Sequence, residues 1–241
     1  LPQPVTDHVR TNLLALSTTD ARIELSSGPV AIGVRTLIDL AVKTGWRFVP
    51  AGGSNASGSL GYVDAALELV DQIEAGLLPP PARIFVPVGS GGTLAGLLAG
   101  FSLAGASIPV HGVRVVPGPW VSRRSVARIA NGALALIRAV DPTVTGPSVL
   151  TRDILLDDSQ LGPGYGEATP AAREACDRMG ALGLPSETTY TAKAFAAMMA
   201  WSGPGPSLFW ETLSAAPMRE EIAAGGPHLL PPAYHRFLEA R

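Results

Sequence analysis

The sequence predicts a three-layer α/β/α fold on a parallel-rich sheet. Two observations carry that expectation. Short apolar runs at residues 84–88 and 110–116 alternate with helix-like runs. Strand, helix, strand in alternation is what a parallel sheet with helices on its faces requires. The composition also suits a filled core: of 241 residues, 46% are hydrophobic and 16% charged, far from the balance of a disordered chain.

Taken in order, residues 6–16 read as a helix with Val9, Leu13 and Leu16 on one face. Asp7 falls in its first turn, where a carboxylate meets the positive end of the helix dipole. Residues 21–24 form a short candidate strand, residues 37–42 continue a helix that stops near Gly45, and residues 46–50 read as a buried strand. Gly52-Gly53-Ser54-Asn55 is a tight loop. A helix follows over residues 61–75, with Ala66, Val70, Ile73 and Leu77 at helical spacing, and Pro79-Pro80-Pro81 ends the segment. The apolar run 84–88 leads into glycines and a helix-like run over 94–103, and 110–116 is the next strand. Residues 121–139 look helical and amphipathic. Thr169-Pro170 offers an N-cap with proline at the first helical position, starting a helix to about residue 182. Residues 192–201 read as a buried helix rich in small side chains, and Leu208-Phe209-Trp210 as a strand.

Several function classes are disfavoured. The net charge is −2 with no basic block, which gives no groove for a nucleic-acid backbone. Cys176 is the lone cysteine, so neither a disulfide framework nor a thiolate metal cluster is available. His8, His111, His228 and His235 are scattered without metal-ligand spacing, and no metal is expected. No uninterrupted apolar stretch is long enough to span a bilayer. Small-molecule chemistry is left.

The most informative segment is Gly89-Ser90-Gly91-Gly92-Thr93, between a strand and a helix. Such a turn gathers N–H groups that lack intrahelical partners, and the helix dipole adds partial positive charge. Glycines admit an anion close to the backbone, and Ser90 and Thr93 can add hydroxyls. The chemistry favoured is a phosphate monoester held without a charged side chain. A phosphate-binding Gly-Lys-Ser/Thr loop is excluded because no lysine is present. A G-x-G-x-x-G dinucleotide fingerprint is excluded because its sixth position is Leu94. A close-packed turn with no ligand is the plain alternative.

This loop resembles the phosphate cup of fold-type II pyridoxal 5′-phosphate (PLP) enzymes, the tryptophan synthase β superfamily. Three further segments resemble the 1-aminocyclopropane-1-carboxylate deaminase and D-cysteine desulfhydrase family: Pro50-Ala51-Gly52-Gly53-Ser54-Asn55 with Gly58-Ser59-Leu60-Gly61-Tyr62-Val63, then Gly162-Pro163-Gly164-Tyr165-Gly166 with Thr169-Pro170, then Thr189-Tyr190-Thr191-Ala192-Lys193-Ala194. The resemblance implies that Gly89, Ser90, Gly91, Gly92 and Thr93 hold the cofactor phosphate. It makes Tyr165 and Tyr190 candidates for substrate contact and proton transfer, although a phenol of ordinary pKa, near 10, needs help to act as a base. It also places Thr212 opposite the pyridine nitrogen. There the family's HTGG-like segment is replaced by Glu211-Thr212-Leu213-Ser214, and Glu211 pointing inward would favour a protonated ring. Ser54 and Asn55 are read equally as a structural turn or as neighbours of the cleft.

The resemblance further implies a small amino-acid substrate, release of ammonia and a 2-oxo acid, a homodimer and a cytoplasmic setting. Residues 1–57 are expected to be the remainder of a small, incomplete domain, and residues 58–241 a large PLP-binding domain. The family's cofactor-carrying lysine lies in a GGNK-like segment that has no match in this chain. Its two lysines, Lys43 and Lys193, are expected in exposed or structural roles. The opening Leu-Pro-Gln-Pro fits an N-terminally truncated chain. A catalytically inactive PLP- or phosphate-binding protein is the alternative reading.

Overall fold

A computed structural model describes residues 5, 7–19, 21–26, 28–45, 47–213 and 226–238. Two compact units emerge, Val49–Leu213 on one hand and Leu1–Phe48 with Ser214–Arg241 on the other.

The larger unit is built on a four-stranded sheet: β1 (Arg83–Val88), β2 (Val110–Arg114), β3 (Leu155–Asp157) and β4 (Ser207–Phe209). The strand order is β3-β2-β1-β4 and every pairing is parallel. Alternation along β1 explains the layers. Ile84, Val86 and Val88 point to one face, packed with α3 (Leu60–Glu74), α4 (Gly92–Leu103) and α5 (Arg123–Val140). Phe85 points to the other and meets Ala194 and Ala197 of α7 (Thr191–Ala200), which packs on α6 (Pro170–Ala181). Each such aliphatic or aromatic side chain contributes about 1.5–3 kcal/mol on burial. The expected three-layer α/β/α architecture is present.

Local chemistry sets where these helices start. Ser122 caps α5, accepting from the Ser125 N–H at 3.1 Å while Ser125 Oγ accepts from the Ser122 N–H at 2.8 Å. At α6, Thr169 Oγ1 accepts from the Ala172 N–H and Pro170 occupies the first turn, as the Thr-Pro pair predicts. A polar chain crosses β1, β2 and β3. Arg83 Nη1 lies 3.0 Å from His111 Nδ1, and His111 Nε2 lies 2.9 Å from Asp157 Oδ2. Arginine can only donate, so Nδ1 accepts and Nε2–H donates to Asp157.

The smaller unit holds α1 (Asp7–Ser17) and α2 (Pro29–Val42) with short 3₁₀ turns at Pro227–Leu229 and Pro232–Phe237. The α1 expectation began at Thr6, which lies outside the described residues. Two expected strands are corrected. Residues 21–24 are irregular, and so are residues 47–50, where Phe48 and Val49 are exposed; Trp46 lies outside the described residues. Each run has β-branched or aromatic residues suited to a strand, but neither pairs with a strand among the described residues. Strand β3 was not foreseen: Leu155-Leu156-Asp157 lacks the aromatic residues that marked the equally short β4.

Candidate functional site

The C-terminal end of β1 turns through Gly89-Ser90-Gly91 into α4. Gly91 caps the helix at φ +92°, a left-handed conformation that favours glycine. Gly89, Ser90, Gly92 and Thr93 are partly exposed, whereas Leu94 is fully buried, so the loop is presented outward from a fixed base. Among the described residues, no protein group accepts from the N–H of Ser90 or Gly91. Ser54 reaches in from the loop after Ala51–Gly53: its Oγ accepts from the Gly92 N–H at 3.1 Å and lies 2.6 Å from Ser90 Oγ.

Tyr190 stands beside this loop. A β-carbon at Gly89 would meet its Cε1 at 2.8 Å, so the missing side chain is what lets the ring approach. Glu187 anchors the tyrosine at the start of α7. Its Oε1 accepts from the N–H groups of Tyr190 and Thr191, and its Oε2 from that of Thr189, each at 2.7 Å. The Tyr190 and Tyr165 hydroxyls lie 2.6 Å apart, with the rings edge to face. Burial first, then the Tyr165 hydroxyl and the Glu187 charge, push the Tyr190 phenol above its ordinary value. It therefore stays un-ionised at neutral pH, and its hydroxyl serves as a hydrogen-bonding group.

On the neighbouring strand, the Trp210 N–H donates to Phe85 O and carries β4 past its last paired residue. That brings residues 211–213 along the end of β1 that leads to the glycine loop. Glu211 Oε1 accepts from the Leu213 N–H at 2.7 Å, while its Oε2 is buried with no partner among the described residues. Thr212 is half-buried at the same end of the sheet. Ser214 lies outside the described residues.

The lysines are both committed. Lys43 is paired with Asp39 at 3.1 Å. Lys193 is fully buried, and its Nζ donates to the Leu161 carbonyl at 2.8 Å. Burial lowers the Lys193 pKa, with Glu187 and Glu167 opposing it. Of the exposed or structural role expected for each lysine, Lys193 takes the structural one. The signal was legible in Thr-Ala-Lys-Ala-Phe-Ala-Ala-Met-Met-Ala, where one charge sits in a helix apolar on every side. Glu187 beneath Tyr190 was not singled out, whereas Ser54, read equally as a turn or a neighbour of the cleft, lies at the glycine loop.

Comparison with known proteins decides the family. Residues 4–205 match the family described as pyridoxal-phosphate dependent enzyme. The chain belongs to that family. Over 190 residues it is 35% identical to the D-cysteine desulfhydrases of Salmonella paratyphi B and Salmonella typhi, covering 74% of this chain and 54% of each relative. It therefore spans about half the length of the curated relatives it matches. A crystal structure of an ACC deaminase homologue superposes with a TM-score of 0.57 at 25% identity, over 79% of this chain and 56% of that one. The family's cofactor is pyridoxal phosphate. The residues present fit its phosphate: among the described residues the N–H groups of Ser90 and Gly91 have no protein acceptor at a helix N-terminus, and β-carbons on Gly89 and Gly92 would press on Tyr190 and Ser54, which flank the loop.

Proposed function

We propose that this chain forms the cofactor-phosphate cup and part of the substrate pocket of a PLP-dependent lyase or deaminase. The substrate is a small amino acid, of the D-cysteine desulfhydrase or 1-aminocyclopropane-1-carboxylate deaminase type, and the products include ammonia and a 2-oxo acid. The observation that carries the reading is the loop Gly89–Thr93 at the start of α4 with Tyr190 directly against Gly89.

In this reading the N–H groups of Ser90, Gly91 and Thr93 and the Ser90 and Thr93 hydroxyls would hold the phosphate, while the Gly92 N–H stays on Ser54 Oγ. Pyridoxal phosphate, when bound, supplies an electron sink for a carbanion at the substrate α-carbon. Tyr190, kept un-ionised, would present its hydroxyl to the substrate as a hydrogen-bonding group, and Tyr165 would orient that hydroxyl through their shared hydrogen bond. The Thr212 hydroxyl would be the group offered to the pyridine nitrogen, on the same segment as Glu211, whose Oε2 is buried with no partner among the described residues. A homodimer in the cytoplasm, with residues 1–57 in the small domain and 58–241 in the large one, belongs to the same proposal.

A second reading has its own support. Lys193 is bound to Leu161 and Lys43 to Asp39, so we assign the cofactor-carrying amine to neither. A chain that binds PLP or phosphate without turnover fits that observation. Titration of the purified chain with PLP, and with pyridoxal lacking the phosphate, tests the cup. PLP is expected to bind at least about tenfold more tightly, a difference of about 1.4 kcal/mol. Equal affinity would remove the phosphate assignment. Formation of a 2-oxo acid from D-cysteine or 1-aminocyclopropane-1-carboxylate separates the enzyme from the binding protein.

A further inference from the structure

Among the described residues, Lys193 is the one charged side chain in the buried class. Removing an ammonium from water costs several kcal/mol, and an apolar side chain of similar volume would fill the same space without that cost. The hydrogen bond that Lys193 makes is directed at one place, the carbonyl of Leu161, 32 residues back in the sequence. Leu161 opens the segment Leu-Gly-Pro-Gly-Tyr that carries Tyr165. Two glycines make this stretch costly to order, and Gly162 sits at φ +70°. Tyr190 is the N-cap residue of α7, and Lys193 follows three residues later in its first turn. The segment is therefore gripped at two points from one helical turn: Lys193 Nζ to Leu161 O at 2.8 Å, and Tyr190 Oη to Tyr165 Oη at 2.6 Å.

We propose that Lys193 is a positioning residue, which sets Tyr165 against Tyr190 by holding the Leu161 carbonyl. Without this grip, Tyr165 depends on one hydroxyl–hydroxyl bond at the end of a glycine-containing segment. The consequence for catalysis rests on the reading that the tyrosine pair faces the substrate; the grip itself does not.

The test uses the whole chain without cofactor, so a failed grip and a failed phosphate cup give different results. Lys193→Met keeps the volume and removes the donor. Contacts between the Tyr165 and Tyr190 rings are followed by nuclear Overhauser effects, with Tyr190→Phe assigning the Tyr190 signals. In the wild type the rings meet edge to face and the hydroxyls lie 2.6 Å apart. In Lys193→Met these contacts are expected to be lost. Unchanged contacts in a folded variant would overturn the proposal. A second measurement needs no variant. The chain has two lysines, so in protein labelled with ¹⁵N-lysine the Lys193 ammonium protons can be compared with those of Lys43. They are expected to exchange at least about tenfold more slowly and to show contacts to Leu161 and Gly162. Exchange as fast as at Lys43 would overturn the proposal even if Lys193→Met does not fold.

Discussion

A β-carbon at Gly89 would sit 2.8 Å from Tyr190 Cε1 and 3.3 Å from its hydroxyl. Gly89→Ala should therefore displace the ring from the cup, with PLP affinity falling about tenfold or more in a fluorescence titration. Asp157 gives a prediction of another kind. Burial alone would raise its pKa, but the Ser159 N–H, His111 and the Ser159 hydroxyl together hold it below 3.8. A carboxyl depressed in the folded state contributes stability above its unfolded pKa and loses that contribution as pH falls through the folded value. Asp157→Asn should thus lower the melting midpoint near neutral pH, by an amount equivalent to about 1 kcal/mol. The gap to wild type should close below about pH 4. Residues like Gly89 were legible in the sequence because backbone chemistry needs their type at that spacing. The burial of Lys193 was legible in its apolar helix, but its partner was not, because that partner is a main-chain carbonyl distant in sequence, which no side-chain pattern announces.

At the scale of elements, α3 and α4 cross at glycines. A β-carbon on Gly96 would meet Ser59 O and Tyr62 Cβ, both at 2.5 Å, and one on Gly100 would meet Val63 O at 2.5 Å and Ala66 Cβ at 2.6 Å. Two effects compete in Gly100→Ala. Helix propensity favours alanine by about 1 kcal/mol, while overpacking costs about 1–3 kcal/mol. One of the obstructing atoms is backbone and cannot rotate away, so overpacking should win and the variant should melt lower. An unchanged or higher midpoint would show that the helices separate freely. The long elements were readable for a related reason: α3, α4 and α5 repeat their pattern over three or more turns. β3 has three residues and no such redundancy. The apolar stretches at 21–24 and 47–50 have the residues of strands without a neighbour to pair with, and pairing is a property of the fold.

For the whole molecule, the contrast lies between the two units. In the larger one, β1 and α4 are almost entirely buried. In the smaller one, α2 exposes Val30 at 81%, Leu37 at 69% and Val42 at 74%, with Ile32, Val34 and Ile38 also exposed. Apolar residues on several sides of one helix favour association in water. The purified chain should therefore scatter light increasingly with concentration, and Leu37→Glu with Val30→Glu should reduce that scattering. A monodisperse wild type would refute this. The proposed phosphate cup has a different consequence. Its main donors are amide groups that every amino acid except proline possesses, so truncating side chains one at a time would leave most of them in place. A survey that replaces residues with alanine would register the centre mainly where a methyl group is added, at glycines. In this chain the sensitive positions are those where nothing protrudes, and mutational tolerance there should track side-chain volume more closely than charge or polarity.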